Sequence, residues 1–128
     1  MSSGERDLGT ILATMEVVRR PGTFAYAQVT AGSPAPAGAV AMIDEGATVA
    51  YVVEADSAAA TATFRAAWLT ISVPTALDGV GLTAALSGAL AAARIPANVL
   101  AGFVHDHVLV PADRADDAVR ALLGLTGR

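Results

Sequence analysis

The only two histidines of the chain, His105 and His107, flank Asp106 and could form a metal or catalytic centre. On a regular strand these two residues share a face, so their imidazoles could bind one zinc ion. A stable zinc site needs three or four ligands, and because the chain has no cysteine, carboxylates from other elements would have to complete the set. Histidine and aspartate also tolerate the left-handed backbone of a turn. The sequence therefore favours a turn at His105 and Asp106, and we predict no metal ligand.

Serine chemistry is not indicated either. Ser72 and Ser87 are the nearest serines in sequence, and neither lies on a glycine-flanked turn from strand to helix, which exposes the nucleophile in many hydrolases. We predict no catalytic residue. A small metal-dependent enzyme that uses His105 and His107 is the least favoured of the hypotheses for this chain.

A stronger candidate is a binding site at the start of a predicted helix, in residues 78–83. Helix amino termini present unpaired amides and a partial positive charge, which stabilise the carboxylate of a small molecule. Glycines let such a ligand approach the backbone, and Asp78 could accept a hydrogen bond from its ammonium group. The alternative is that Asp78 only caps the helix. The predicted ligand-binding residues are Asp78, Gly79, Val80, Gly81, Leu82, Thr83, Asn98 and Val99, of which the last two begin the next strand.

Cofactors and large partners are not indicated. The chain lacks the glycine-rich loop with a lysine that holds nucleotide phosphates, and we predict no cofactor. Its 128 residues carry a formal net charge of −4 without a basic cluster, which argues against binding to nucleic acid. The first residues are polar, unlike a signal peptide, and the apolar run at residues 79–95 is too rich in alanine for a membrane span. We therefore expect a cytoplasmic protein without a membrane partner.

The elements that position these residues are predicted from hydrophobic periodicity. Apolar residues at helical spacing predict three helices, of which the first is capped by Asp7 and ends at residues 19–22, and a short further helix is predicted at residues 56–60. Gly46 predicts a tight hairpin, and the proline-rich residues 32–38 predict a surface loop. The apolar stripes of the three helices are formed by Leu8, Ile11, Leu12 and Met15, by Leu82, Ala85, Leu86, Ala89, Leu90 and Ala93, and by Ala115, Ala118, Val119, Leu122 and Leu123. The predicted strands span residues 23–30, 39–43, 47–54, 66–73, 98–104 and 107–111.

The resulting order of elements is α-β-β-β-α-β-α-β-β-α. Hairpins and crossovers both connect the strands, which is typical of an α+β fold with helices packed on one face of a mainly antiparallel sheet. The organisation is ferredoxin-like and is used twice. The second half lacks a final strand, so it would present an open edge to the other half or to a second copy, and we predict a homodimer.

Three motifs occur in a characteristic order: LDGVGLTAA at residues 77–85, ANVLAGF at residues 97–103, and the histidine motif that leads to Val110 and Pro111. In these motifs the chain resembles small bacterial proteins built from two tandem ACT-like domains. The first half is similar to the amino-terminal module of that family at residues 8–15, 22–26 and 41–46. Two positions depart from the family pattern: residues 73–76 read VPTA in place of a serine-rich step, and Arg94 replaces a glycine near the helix end.

The resemblance implies two modules of βαββαβ type, at residues 1–65 and 66–128. It also implies a regulatory unit that binds a small molecule, with an amino acid as the expected ligand, at a junction between modules and without catalytic activity. The alternative is a structural or protein-interaction domain in which the pocket is vestigial.

Overall fold

The computed structural model describes residues 7–73 and 80–127. Its helices are α1 (Leu8–Thr14), α2 (Leu82–Ala92) and α3 (Ala115–Leu123), and short 3₁₀ turns at Ala112–Arg114 and Gly124–Thr126 flank α3. Its strands are β1 (Glu16–Thr30), β2 (Ala39–Asp44), β3 (Thr48–Glu54), β4 (Ala66–Ser72), β5 (Asn98–Ala101) and β6 (Asp106–Pro111). The pairs β1–β3, β2–β3 and β5–β6 are antiparallel, which agrees with the predicted fold class.

The chain forms two units, one made of Met1–Arg20 with Trp68–Arg128 and the other of Pro21–Ala67. Strand β1 therefore contributes residues to both units. These units are defined by compactness, and the modules predicted over residues 1–65 and 66–128 stay a prediction.

The first unit has the strand order β1, β4, β6, β5, with residues 16–20 as its share of β1. Together with α2 and α3, these strands give the ferredoxin-like arrangement that the sequence predicts. The second half of the chain lacks a final strand, as expected, but β1 takes that position beside β4. Of the two predicted partners for this edge, the other half of the chain and a second copy, the structure shows the first, because β1 comes from the amino-terminal part of the chain.

Helix burial in the first unit follows the predicted stripe in α2, whereas Leu123 of the stripe predicted for α3 is exposed. Leu82, Leu86 and Leu90 of α2 are buried, and each such side chain contributes about 1.5–3 kcal/mol by leaving water. Helix α2 contacts α1 and α3, and α3 contacts β6, so the helices pack together and against the sheet. The cap of α1 is confirmed, since the Thr10 amide donates to the Asp7 carboxylate at 2.9 Å. Among the residues that the structure describes, no helix is long and apolar enough to cross a membrane.

The second unit is an antiparallel sheet in the order β2, β3, β1. Its buried cluster consists of Ala27, Tyr51 and Val53, which alternate on β1 and β3 and therefore share a face. The predicted β2–β3 hairpin is confirmed: Gly46 has a φ of 96°, and its amide donates to the Asp44 carboxylate at 2.9 Å. The loop predicted at residues 32–38 is also confirmed, since these residues connect β1 to β2.

Two predicted elements are wrong. Residues 56–60 form turns rather than a helix, and the hydroxyl of Ser57 donates to the Ala37 carbonyl at 2.8 Å, which ties this segment into a loop. The first helix ends at Thr14 rather than at residues 19–22. The residues after it include two valines, whose branched side chains favour a strand, and they form the start of β1.

Candidate functional site

The amino terminus of α2 opens on a glycine in a conformation that few other residues adopt. Gly81 is the N-cap, with φ 105° and ψ −16°, and it provides no side-chain cap. A Cβ atom at this position would lie 3.0 Å from Cδ2 of Leu8 in α1. The backbone angle therefore favours glycine at residue 81, and an added Cβ atom would also displace the end of the Leu8 side chain.

The first backbone amides of α2 precede the hydrogen-bond ladder of the helix. The first hydrogen bond of the helix runs from the Ala85 amide to the Gly81 carbonyl at 2.9 Å. The amides of Leu82, Thr83 and Ala84 come earlier and have no carbonyl partner within the helix. Together with the helix dipole they place partial positive charge at this end of α2. A small anionic group such as a carboxylate suits this position, next to the exposed Thr83.

The predicted site residues that precede the helix are only partly described. Val80 is 85% exposed. Asp78 and Gly79 lie outside the described residues, so the predicted contact between the Asp78 carboxylate and a ligand's ammonium group stays a prediction. The N-cap position itself belongs to Gly81.

Asn98 and Val99 lie at the start of β5, where they pair with Leu109 and Val108 of β6. Asn98 is exposed and Val99 is half-buried. The short connection that leads to Asn98 begins at the carboxyl end of α2, and an 11-residue helix is about 16 Å long. The structure therefore places Asn98 and Gly81 at opposite ends of α2 rather than together.

The histidine motif lies in the β5–β6 hairpin, but the bend comes earlier in the chain than predicted. The Gly102 amide donates to the His105 carbonyl at 2.9 Å, so Phe103 and Val104 form the bend, and β5 ends at Ala101. The predicted bend at His105 and Asp106 is wrong in position. Gly102 is the signal that the sequence analysis missed, since a Cβ atom there would lie 2.6 Å from the His105 carbonyl oxygen.

His107 belongs to a polar cluster that the sequence analysis did not predict. Its Nδ1 atom accepts a hydrogen bond from Nε1 of Trp68 at 3.2 Å and lies 3.0 Å from Oγ1 of Thr70. Nε1 of Trp68 also donates to Oγ1 of Thr70 at 3.1 Å. Burial, followed by the neighbouring charge of His105 and a smaller effect of Arg20, lowers the pKa of His107, and Asp106 opposes this shift.

These contacts weigh against a metal centre at the two histidines. In residues 7–73 and 80–127, no group of three or more His, Cys, Asp or Glu side chains could hold a metal ion. The ring centroids of His105 and His107 lie 6.5 Å apart. Nδ1 of His107 is engaged by Trp68 and Thr70, while Nδ1 of His105 is buried without a hydrogen-bond partner among the described residues.

Solved structures of similar fold include three bacterial proteins. A Vibrio cholerae protein of unknown function, described as a possible transport protein, is 28% identical; the match covers 93% of this chain and 95% of that one, with a TM-score of 0.79. An Agobacterium tumefaciens protein is 18% identical, with 88% and 89% of the two chains covered and a TM-score of 0.67. The ligand-free regulatory subunit of aspartate kinase from Thermus thermophilus is 13% identical, with 89% and 98% covered and a TM-score of 0.60. At these identities, the last two show the fold alone.

Comparison with protein families gives a match over nearly the whole chain. The ACT domain family matches residues 3–66 and, a second time, residues 63–123. A search of curated proteins finds no match. The two family matches follow one another along the chain, and the chain belongs to the ACT domain family as a small tandem ACT protein.

Proposed function

We propose that this protein is a cytoplasmic regulatory module that binds a small molecule of the amino-acid class and has no catalytic activity of its own. ACT domains are typically regulatory domains that bind ligands, and the chain consists of two of them. The observation that carries the proposal is the start of α2, where Gly81 leaves the first amides without a side-chain cap. Such amides stabilise the α-carboxylate that all amino acids share.

The same proposal includes a homodimer. Because Gly81 and Asn98 lie at opposite ends of α2, one ligand contacts both only if a second copy of the chain supplies one of them. Among the described strands β6 is the only neighbour of β5, whose residues Asn98–Ala101 carry no charge, so this edge is open to pairing. Light scattering at micromolar concentration should give the mass of a dimer. A monomer mass would count against this part of the proposal.

A thermal-shift screen with the standard amino acids tests ligand binding. A ligand that binds only the folded state stabilises it by about 2.7 kcal/mol at a concentration about 100 times its Kd, so at least one amino acid should raise the melting temperature. Thr83→Ala and Asn98→Ala should each reduce that rise, because both side chains belong to the predicted site. Ser87→Ala, one turn further along α2, is the matched control and should preserve it. The proposal fails if no amino acid raises the melting temperature.

A protein-interaction domain is the second candidate function. Phe103 and Val104 are 85% and 66% exposed at the tip of the β5–β6 hairpin, which is unusual for neighbouring apolar side chains. The side chain of Leu8 also lies against Gly81 and restricts the space beside the start of α2. This candidate would be favoured if no amino acid raised the melting temperature and if the Phe103→Ser variant bound a protein partner with lower affinity than the wild type.

A further inference from the structure

The polar cluster around His107 joins two neighbouring strands of the first unit. Trp68 and Thr70 alternate along β4 and share a face, and His107 lies on β6, the next strand of the sheet. The three polar atoms Nε1 of Trp68, Oγ1 of Thr70 and Nδ1 of His107 lie 3.0–3.2 Å from one another. Trp68 is only 5% exposed, so its indole N–H has little access to water and is stabilised by hydrogen-bond acceptors within the protein.

The hydrogen bond from the indole favours one protonation state of His107. The Trp68 N–H only donates, and it has two acceptors, Oγ1 of Thr70 at 3.1 Å and Nδ1 of His107 at 3.2 Å. With Nδ1 as an acceptor, the imidazole is neutral and carries its proton on Nε2. In an imidazolium both ring nitrogens are donors, so the protonated ring would place an N–H group directly against the N–H group of Trp68.

The charged and titratable groups around His107 come from several elements. On the hairpin, His105 disfavours protonation of His107 and Asp106 favours it. From β1, the Arg20 guanidinium lies 5.3 Å from the centroid of the Trp68 ring and also disfavours protonation. Strand β4 contributes only the uncharged Trp68 and Thr70, and the residue opposite His107 on β5 is Leu100. Burial has the largest effect, and together with His105 and Arg20 it lowers the pKa of His107 from its ordinary value of 6.5.

We propose that Trp68, Thr70 and His107 form a pH-sensitive latch, which adds side-chain hydrogen bonds to the pairing of β4 with β6 while the imidazole is neutral and opens when the imidazole is protonated in acid. Opening loosens the β5–β6 hairpin, which carries Phe103 and Val104 at its tip. The latch involves no ligand and is independent of the proposed amino-acid site.

The dependence of stability on pH follows from the direction of the pKa shift. Well above pH 6.5, His107 is neutral in both the folded and the unfolded chain and does not make stability depend on pH. Below 6.5, the unfolded chain binds the proton more readily than the folded chain, so the free energy of unfolding decreases. This decrease continues until the pH falls below the lowered pKa of the folded state, where both states are protonated.

Tryptophan fluorescence tests the latch directly, because Trp68 is the only tryptophan in the chain. The ring centroids of Trp68 and His107 lie 5.1 Å apart, so protonation of the imidazole and separation of the two rings both change the surroundings of the indole. We expect wild-type emission to be constant above about pH 7 and to change in one titration with its midpoint below the ordinary histidine value. An emission that stays flat on acidification until the protein unfolds would overturn the proposal.

Two histidine variants assign the transition. His107→Asn places an amide oxygen close to the position of Nδ1, so it can accept the hydrogen bond from Trp68 but does not titrate, and the transition should be lost. His105→Asn is the matched control and should keep the transition with a higher midpoint, because one neighbouring positive charge is removed. A transition that persists in His107→Asn, or that disappears in His105→Asn, contradicts the assignment.

Nitrogen NMR of the wild-type imidazoles gives a second readout that needs no variant. At about pH 7 and above, His107 should show the neutral tautomer with its proton on Nε2. A proton on Nδ1 would be incompatible with the hydrogen bond from Trp68 and would contradict the latch.

Discussion

Arg94 occupies the left-handed position that ends α2. Its φ is 59°, and in the described part of the chain it is the only residue other than glycine with a positive φ. The Arg94 amide donates to the Ala91 carbonyl and the Ile95 amide to the Leu90 carbonyl, each at 2.9 Å, which is the hydrogen-bond pattern of a Schellman motif. Glycine is usual at this position, so Arg94 keeps the motif at a cost of about 1–2 kcal/mol.

Arg94→Gly should therefore stabilise the protein. We expect the free energy of unfolding to increase by about 1 kcal/mol, because the left-handed strain is removed while glycine loses somewhat more backbone entropy on folding. Denaturation with urea measures the change. Arg94→Ala is the control, since it removes the exposed side chain but keeps the Cβ atom, and it should give no comparable gain. Equal stability of the two variants would contradict the assignment of strain to the backbone.

Local signals at single residues were predicted better than contacts between distant residues. The Asp7 cap and the Gly46 turn depend on groups within three residues along the chain, so the sequence shows them directly. The contact of Trp68 with His107 depends on β4 and β6 being neighbours, and no local pattern contains that information.

At the scale of elements, the β5–β6 hairpin depends on Gly102. A Cβ atom there would lie 2.6 Å from the His105 carbonyl oxygen and 3.1 Å from Nε2 of His107. The first of these distances is to backbone, which moves only if the turn opens. Gly102 is therefore required for close approach of the chain to itself, not for an unusual backbone angle.

Gly102→Ala should destabilise the protein by about 1–3 kcal/mol, the usual effect of an added methyl group in a tightly packed position. Chemical denaturation monitored by circular dichroism measures it. Gly88→Ala is the matched control: Gly88 lies within α2, a Cβ atom added there would have nothing within 4 Å, and the change should stabilise by about 0.5–1 kcal/mol. If Gly102→Ala proved as stable as the wild type, the close approach of residue 102 to the His105 carbonyl would be contradicted.

The helices and strands were predicted where periodicity is long. The stripe of leucines in α2 spans most of the helix, and all three are buried. The helix predicted at residues 56–60 rested on one potential cap, Asp56 or Ser57, and the Ser57 hydroxyl instead contacts the loop at Ala37. Strand β1 is longer than predicted, because Arg19, Arg20 and Pro21 suggested a helix end but lie in extended backbone.

For the whole molecule, the fold class followed from the order of elements and the family from the sequence motifs. The sequence did not show which segment provides the strand beside β4, because that segment, residues 16–20, lies far from β4 in the chain. Packing across such a separation depends on the three-dimensional arrangement, which one sequence does not reveal.

Binding of a small molecule's carboxylate at the first amides of α2 can be observed at those amides themselves. Amide NMR spectra of the full chain, recorded while amino acids are added, provide this test. For the amino acid that raises the melting temperature most, we expect saturable shifts that are largest at the amides of Leu82, Thr83 and Ala84. Saturable shifts confined to other regions, or spectra unchanged by every amino acid, would contradict it.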